Sequence, residues 1–369
     1  MEARFITDRQ QWNDFVEKSP YGNITQSYEW GELSKDVGSQ AFHVGVVDDQ
    51  GNLCAAMLLL LVKMPLLRSS FFYAPRGPVI DDPDSPAMNV LLNFVKSEAR
   101  KKGAFMLKLE PGVDAGDTTW TSALTRRGFK PSNQFLHIRN EWILDIRPDE
   151  KEILANMKEK WRYNIRLASR KGVTVREAKG REDMEAFYSI LQETSERDQF
   201  YIHSIEHFEL VEKLFSEGDR YAMLIAEHEG KPIAAIVLMR MGKWCWYRYG
   251  ASLTKGRNVM PNHLLQWTGM QWAKARGCEY YNFLGIPTTL EEPEAKKDPL
   301  WGVYTFKRGF NGFARTAMPG YDLPYNPFLY QAYRRMLDFK KWRAARQNHK
   351  EEAEQEKAPE QPPKTPTHA

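Results

Sequence analysis

The segment Leu300–Phe310, LWGVYTFKRGF, sets an aromatic ring directly before a lysine, at Phe306 and Lys307. An ammonium in such a place can neutralise a phosphate, or steady the oxyanion that forms when an acyl carbonyl is attacked. A ring beside it can stack on a nucleobase. The same pattern also fits an amphipathic segment with Lys307 in solvent. Two other stretches are strongly basic: Lys158–Lys171 (KEKWRYNIRLASRK) and Arg334–Arg346 (RRMLDFKKWRAAR), each with six basic residues to one acidic. Arg162, Arg166 and Arg170 recur at helical spacing in the first and are candidates for RNA phosphates. Either stretch also suits an anionic membrane surface, or simply a solvated face. Cys54, Cys245 and Cys278 stand at no metal-ligand spacing, so no metal is expected. No Ser-His-Asp or Cys-His arrangement is readable locally, and no GxxxxGK[ST] phosphate loop occurs.

The elements that must position these residues come in two copies. Residues 44–64 (VGVVDDQGNLCAAMLLLLVKM) and 223–241 (MLIAEHEGKPIAAIVLMRM) each read as strand, tight turn, strand, with Gly51-x-x-x-Ala55-Ala56 repeated as Gly230-x-x-x-Ala234-Ala235. A third strand follows each hairpin, at Phe71–Tyr73 and Trp244–Tyr249. A helix comes next, with Leu91, Leu92, Phe94 and Val95 in one copy and Leu264, Leu265, Trp267 and Met270 in the other. Lys102-Gly103 and Arg276-Gly277 end these helices, and the strands Phe105–Leu109 and Tyr280–Leu284 follow. The fold expected is α/β (α+β): a duplicated domain that resembles the acyltransferase fold of the Gcn5-related (GNAT) family.

The first domain is expected over 1–147 and closes on the alternating strand Glu141–Ile146. Pro148-Asp149-Glu150 then opens a helix and the second domain, 148–317. Met318–Pro327, with three prolines and a glycine, reads as a linker, and a last helix within about 318–346 returns to the first domain. Coenzyme A is disfavoured as donor. The linkers Ala74–Asp82 and Gly250–Asn258 lack the R/Q-x-x-G-x-G/A pattern whose N–H groups cradle a pyrophosphate, and the first adds two acids there.

Composition excludes a disordered chain: of 369 residues, 42% are hydrophobic and 27% charged. The net charge of +4 hides an acidic tail, 347–369, with three Lys, five Glu and four Pro, which reads as disordered. Without it the body carries 49 basic and 43 acidic residues, a balance that suits a polyanionic partner. The N-terminus reads as neither a signal nor a transit peptide, and the longest apolar run, Leu53–Val62, is too short to span a bilayer. An odd cysteine count fits the reducing cytoplasm, the expected location.

Several segments together resemble the FemABX family of aminoacyl-tRNA-dependent peptidyltransferases. They include Ser19-Pro20-Tyr21-Gly22, Gln26-Ser27-x-x-Trp30 and Tyr73-Ala74-Pro75-Arg76-Gly77-Pro78-Val79. Trp246–Ser252, Tyr281–Ile286 and Tyr304-Thr305-Phe306-Lys307 continue the series in the family's order. The resemblance implies two tandem GNAT-like domains. It also implies transfer of an amino acid from aminoacyl-tRNA to the side-chain amine of residue three of a peptidoglycan precursor peptide. The co-substrate is then the charged tRNA, with no other cofactor, and the acceptor is UDP-MurNAc-pentapeptide or lipid II. A peripheral contact with the inner membrane surface and a monomeric state are expected with it.

By the same resemblance Phe306 and Lys307 lie near the tRNA end and the reacting centre, Lys307 as the catalytic residue, and Tyr249 contacts the precursor. A family lysine for the precursor's phosphate falls on Ser34, leaving Lys35 as the candidate. A further precursor contact falls on Tyr201, His203 and His207. Asn282 replaces a frequent aspartate, and Arg197 keeps a Glu-Arg segment. With no heptad insertion of roughly sixty residues, the coiled-coil arm of some members is not expected. Two other readings remain open: an N-acyltransferase with a different acyl donor, and a non-catalytic precursor-binding protein.

Overall fold

Apolar segments that alternate or run continuously, broken by Gly51 and Gly230, become two long hairpins. Both glycines sit at positive φ, 85° and 70°, which a Cβ would disfavour in these tight turns. The computed structural model describes residues 1–132 and 134–355, and in it each hairpin anchors a seven-stranded sheet.

The first sheet runs β1 (Glu2–Phe5), β2 (Gln40–Val47), β3 (Leu53–Met64), β4 (Ser69–Arg76), β5 (Ala104–Pro111), β14 (Gly320–Pro324), β6 (Lys130–Ser132). The second runs β13 (Phe313–Thr316), β7 (Asn140–Asp145), β12 (Tyr280–Gly285), β11 (Trp244–Ser252), β10 (Lys231–Met241), β9 (Tyr221–His228), β8 (Thr174–Glu177). In both, four antiparallel strands, β1–β4 and β8–β11, lead to a parallel pair, β4 with β5 and β11 with β12. The crossover helices that parallel pairing demands are α3 (Pro86–Lys102) and α9 (Pro261–Ala275). Leu91, Leu92 and Val95 of α3 pack with Met57, Phe72 and Leu107, while Leu265, Trp267 and Met270 of α9 pack with Leu224, Leu238 and Tyr281. The duplicated α/β architecture expected from the repeats is the one observed.

The remaining helices cover sheet faces and the junction. In the first half they are α1 (Arg9–Lys18), α2 (Tyr28–Asp36) and α4 (Thr118–Arg126). In the second they are α5 (Glu150–Asn156), α6 (Glu159–Arg170), α7 (Gly180–Asp198), α8 (Ile205–Ser216) and α10 (Trp301–Lys307). Asp149 caps α5 by accepting from the Glu152 N–H at 2.8 Å, as its place after Pro148 predicts. The longest helix, α11 (Pro327–Gln355), lies against the first domain through Tyr330 and Tyr333, so no coiled-coil arm is present among the described residues.

Chain order and sheet order disagree at two strands. β7 follows β6 in the chain but pairs with β12 in the second sheet, Tyr281 opposite Leu144. β14 follows β13 but inserts between β5 and β6 in the first, Asp322 opposite Lys108. Each domain thus receives one interior strand from the other half of the chain. This corrects the expected division at 147: the chain enters the second sheet at Asn140, and the presumed linker Met318–Pro327 holds a strand of the first. Apolar alternation shows that a strand is buried, not which sheet buries it. The acidic tail is corrected in part, because α11 continues to Gln355; residues 356–369 lie outside the described residues.

The exchange is sealed by a buried pair. The Lys108 ammonium of β5 stands 2.7 Å from an Asp322 carboxylate oxygen of β14 and donates to Ser132 Oγ of β6 at 2.6 Å; the two charged side chains are 1% and 0% exposed. Asp322→Leu alone should leave a buried ammonium unpaired and cost about 3–5 kcal/mol. Adding Lys108→Met should recover most of that loss. Urea unfolding of both variants checks this, and equal midpoints for the single and double variants would refute it.

Candidate active site

The exchanged strand β7 delivers Glu141 to the seam between the sheets. Arg76, at the end of β4, donates from Nη2 to Glu141 Oε1 at 2.9 Å and to the Ile138 carbonyl at 2.5 Å. Asn282 of β12 donates to the other carboxylate oxygen at 3.1 Å, and its own side-chain oxygen accepts from the Leu284 N–H at 2.7 Å. Arg76 and Leu284 both hold positive φ, 53° and 60°. These left-handed conformations at strand ends let the backbone turn away while the side chains stay at the seam. A cavity of about 250 Å³ opens on this ion pair, lined also by Asn23, Thr25, His137, Ile138, Trp246, Arg248 and Leu284. A smaller one adjoins it at Tyr21, Trp244, Asn282 and Arg315.

Lys307 lies beneath this seam at the end of α10, 5% exposed, with its ammonium donating to the Gly285 carbonyl at 2.6 Å. Burial lowers its pKa to about 7, although Glu141 pulls the other way. The solvent-facing alternative is therefore excluded. The fixed ammonium expected from the sequence becomes a group with both protonation states populated near neutrality. Phe306, half-buried, meets the edges of His263 at 5.2 Å and Phe310 at 5.1 Å, so its ring packs inward rather than standing as an open platform.

The basic helix α6 is joined to this unit. Trp161 donates from Nε1 to the Phe306 carbonyl at 3.1 Å, and the Lys158 N–H donates to the Gly309 carbonyl at 3.0 Å. Arg162 donates to the Ala155 carbonyl at 3.0 Å and to the Met157 carbonyl. Its Nη1 is thus engaged in capping α5, whose last carbonyls have no partner within the helix. Arg166 and Arg170 are exposed, with Arg170 over the Tyr163 ring at 5.5 Å.

The precursor candidates gather elsewhere, where α2, α8 and β11 meet. His203 and His207 stack at 4.1 Å, Tyr201 meets His203 edge-on, and Phe208 links His207 to Tyr249. His207 Nδ1 is 3.3 Å from Asp36 of α2. Burial and the neighbouring His207 hold His203 below the ordinary imidazole range. Lys35 is on the same helix as Asp36, but its ammonium pairs with Glu32 at 2.7 Å on the exposed side. Tyr249 packs on Phe208 and lines neither cavity; Arg248 lines the larger one. The pairing of β10 with β11 skips Arg248 between Leu238↔Tyr247 and Val237↔Tyr249. That irregularity re-aims the strand and puts the arginine, not the tyrosine, at the cavity.

Sequence reasoning also missed a polar cluster on the first domain's side. The Tyr73 hydroxyl donates to Glu110 at 2.7 Å and contacts His137 Nδ1, which is itself 3.5 Å from the same carboxylate. The Leu136 and His137 N–H groups donate to Glu110 at 2.7 and 3.1 Å. Burial raises the Glu110 pKa, but the bonds from His137, Leu136 and Tyr73 outweigh it and hold the carboxyl below its usual value. Burial lowers His137, with Glu110 opposing, and pushes the Tyr73 phenol well up. A neutral imidazole beside a carboxylate at a cavity wall can move protons. Tyr73 lies in the quoted Tyr-Ala-Pro-Arg-Gly segment, but Glu110 and His137 carry no local signal.

Lys307 also leaves a signature in stability. The folded protein binds its proton more weakly than the unfolded chain, so this group's contribution is full above pH 10.5 and is lost as pH falls towards about 7. Wild type should lose stability relative to Lys307→Met across that window, measured by urea midpoints. A difference that does not change with pH would place the ammonium in water.

Comparison with known proteins agrees with this architecture. The FemAB family profile matches residues 7–229 and 221–337. Lipid II:glycine glycyltransferase of Staphylococcus aureus (strain MRSA252) is 26% identical, over 90% of this chain and 94% of that protein. The crystal structure of FemX superposes with a TM-score of 0.83 at 24% identity, over 90% of this chain and 99% of its own. A tandem GNAT protein from the clavulanic acid biosynthesis pathway shares the fold with a TM-score of 0.53 at 11% identity, over 88% of this chain and 99% of its own. A profile match over most of the chain, together with glycyltransferase relatives that align over 90% of it, means that the chain belongs to the FemAB family and is an acyl-transferring enzyme.

Proposed function

We propose that this protein moves an amino acid from aminoacyl-tRNA to the side-chain amine of the third residue of a peptidoglycan precursor peptide, carried on lipid II or on its UDP-linked form. The observation that carries this reading is Lys307, buried on the Gly285 carbonyl opposite Glu141, with a pKa near neutrality and joined through α10 to the exposed arginines of α6. The lipid II:glycine glycyltransferases among its relatives favour lipid II as acceptor and glycine as the group carried.

The acceptor amine attacks the ester carbonyl, a C–N bond forms, the C–O bond to the tRNA ribose breaks, and the ribose oxygen takes a proton. Lys307 supplies charge to the oxyanion when protonated and accepts a proton from the acceptor when neutral. The free α-amine of the donor is a second proton shuttle. Arg166 and Arg170 hold tRNA phosphates, and the cluster of Tyr201, His203 and His207 receives the precursor. The enzyme works as a monomer on the cytoplasmic side, where charged tRNA is found. No helix among the described residues is long and apolar enough to cross a membrane.

Purified protein given glycyl-tRNA and a muramyl pentapeptide should form a product one glycyl mass heavier without ATP or coenzyme A. Undiminished product after RNase treatment would overturn the donor assignment; parallel reactions with alanyl- and seryl-tRNA test the residue carried. Lys307→Met should slow single-turnover transfer about 10²–10³-fold. It should also remove the inflection near pH 7 expected of the wild-type rate. A wild-type rate in the folded variant would remove Lys307 from the mechanism.

A further inference from the structure

Helix α11 has two apolar faces. One is spent on the fold: Tyr330 and Tyr333 are buried with Phe71 and Phe105, and Leu329, Met336 and Leu337 pack beside them. The other looks outward. Arg335, Phe339, Trp342 and Arg346 follow one another at steps of three or four residues, and Phe328 lies about three turns before Phe339 on the same stripe. All five are exposed, with Phe328 at 88%, Phe339 at 55% and Trp342 at 54%. Phe339 and Trp342 stack at 5.7 Å, and the Arg346 guanidinium covers the Trp342 ring at 5.3 Å. Lys340, Lys341 and Arg343 flank the stripe, and Asp338 is the single acid between Arg334 and Arg346. The turn at Pro65–Leu67, which touches α11, adds Leu66 at 78% exposure.

Three large rings held in water have no role in the fold, and a solvated basic face does not need them. RNA would take the arginines on its phosphates and a ring on an unpaired base, but Phe339 and Trp342 already stack on each other and Leu66 has no ring to offer. An acyl-chain boundary takes the rings, and anionic headgroups take the basic residues around them. We infer that the outer face of α11 is a docking surface for an anionic lipid bilayer, on which the helix lies parallel to the membrane plane. The inference goes beyond the proposed reaction and does not depend on it.

The test is sedimentation of the full chain with phosphatidylglycerol–phosphatidylethanolamine vesicles, against pure phosphatidylcholine vesicles. Wild type should bind the anionic vesicles in preference and release them as salt rises. Phe339→Ala with Trp342→Ala should weaken binding about tenfold or more. Arg335→Gln and Arg346→Gln should each weaken it by about fivefold. Circular dichroism melting should be unchanged, because these side chains lie outside the core. Equal sedimentation of wild type and the aromatic double variant would overturn the inference. So would a concentration-dependent dimer lost in that variant, which assigns the face to a second copy. Weaker tRNA binding by the arginine variants with vesicle binding intact assigns it to RNA and overturns it too. Vesicle binding without transfer activity would sink the proposed reaction alone.

Discussion

The ion pair between Arg76 and Glu141 is the constraint around which the rest is arranged. It joins the end of a first-domain strand to a strand that the chain has already handed to the second domain. Both side chains are 7% exposed, and burying two charges costs several kcal/mol per ion unless geometry and further bonds offset it. Here they do: Asn282 occupies the second carboxylate oxygen, and the Nη2 that bonds Glu141 also donates to the Ile138 carbonyl. Gly285, whose carbonyl holds Lys307, pairs across the strands with Glu141, so the lysine's position follows from the same strand.

The exchange of β7 and β14 explains why a two-domain chain has one continuous seam. Neither sheet is complete without a strand from the other half, and each exchanged strand carries a carboxylate that neutralises a buried cation, Glu141 for Arg76 and Asp322 for Lys108. An apolar cluster seals the rest: Met239, Met241 and Trp246 of the second domain pack with Trp12, Leu58 and Phe71 of the first. Domains joined only by a linker and a small interface are free to shift. Here the cavity walls, contributed by both halves, are held by covalent topology as well as by packing.

Within that rigid seam, burial sets the chemistry. Lys307 is brought down to about 7, His137 is also lowered, and Tyr73 is pushed up, in each case because the charged form loses water. Glu110 goes the other way because its hydrogen bonds outweigh its desolvation. The site therefore presents a neutral imidazole at the wall of the larger cavity, a carboxylate behind it, and a buried lysine near its own pKa held on the Gly285 carbonyl. Groups poised in this way suit proton movement during acyl transfer.

Local pattern was enough for much of the fold. The repeated hairpins, their glycine turns, the crossover helices, the Asp149 cap and the duplicated α/β class all follow from apolar period and turn chemistry, which act over a few residues. The aromatic–lysine pair at Phe306 and Lys307 was also legible, as was the basic character of α6. Three things were not. The strand exchange depends on which edge a buried strand finds, and the alternation of Glu141–Ile146 or the prolines near β14 say nothing about that. The placing of Arg248 rather than Tyr249 at the cavity depends on an irregular strand pairing that only a partner strand can define. The Tyr73–Glu110–His137 cluster and the lowered Lys307 depend on residues far apart in the chain being brought out of water together. Periodicity and spacing belong to the chain alone; partner choice, register and desolvation exist only once distant segments share an interior, and at this site they decide the chemistry.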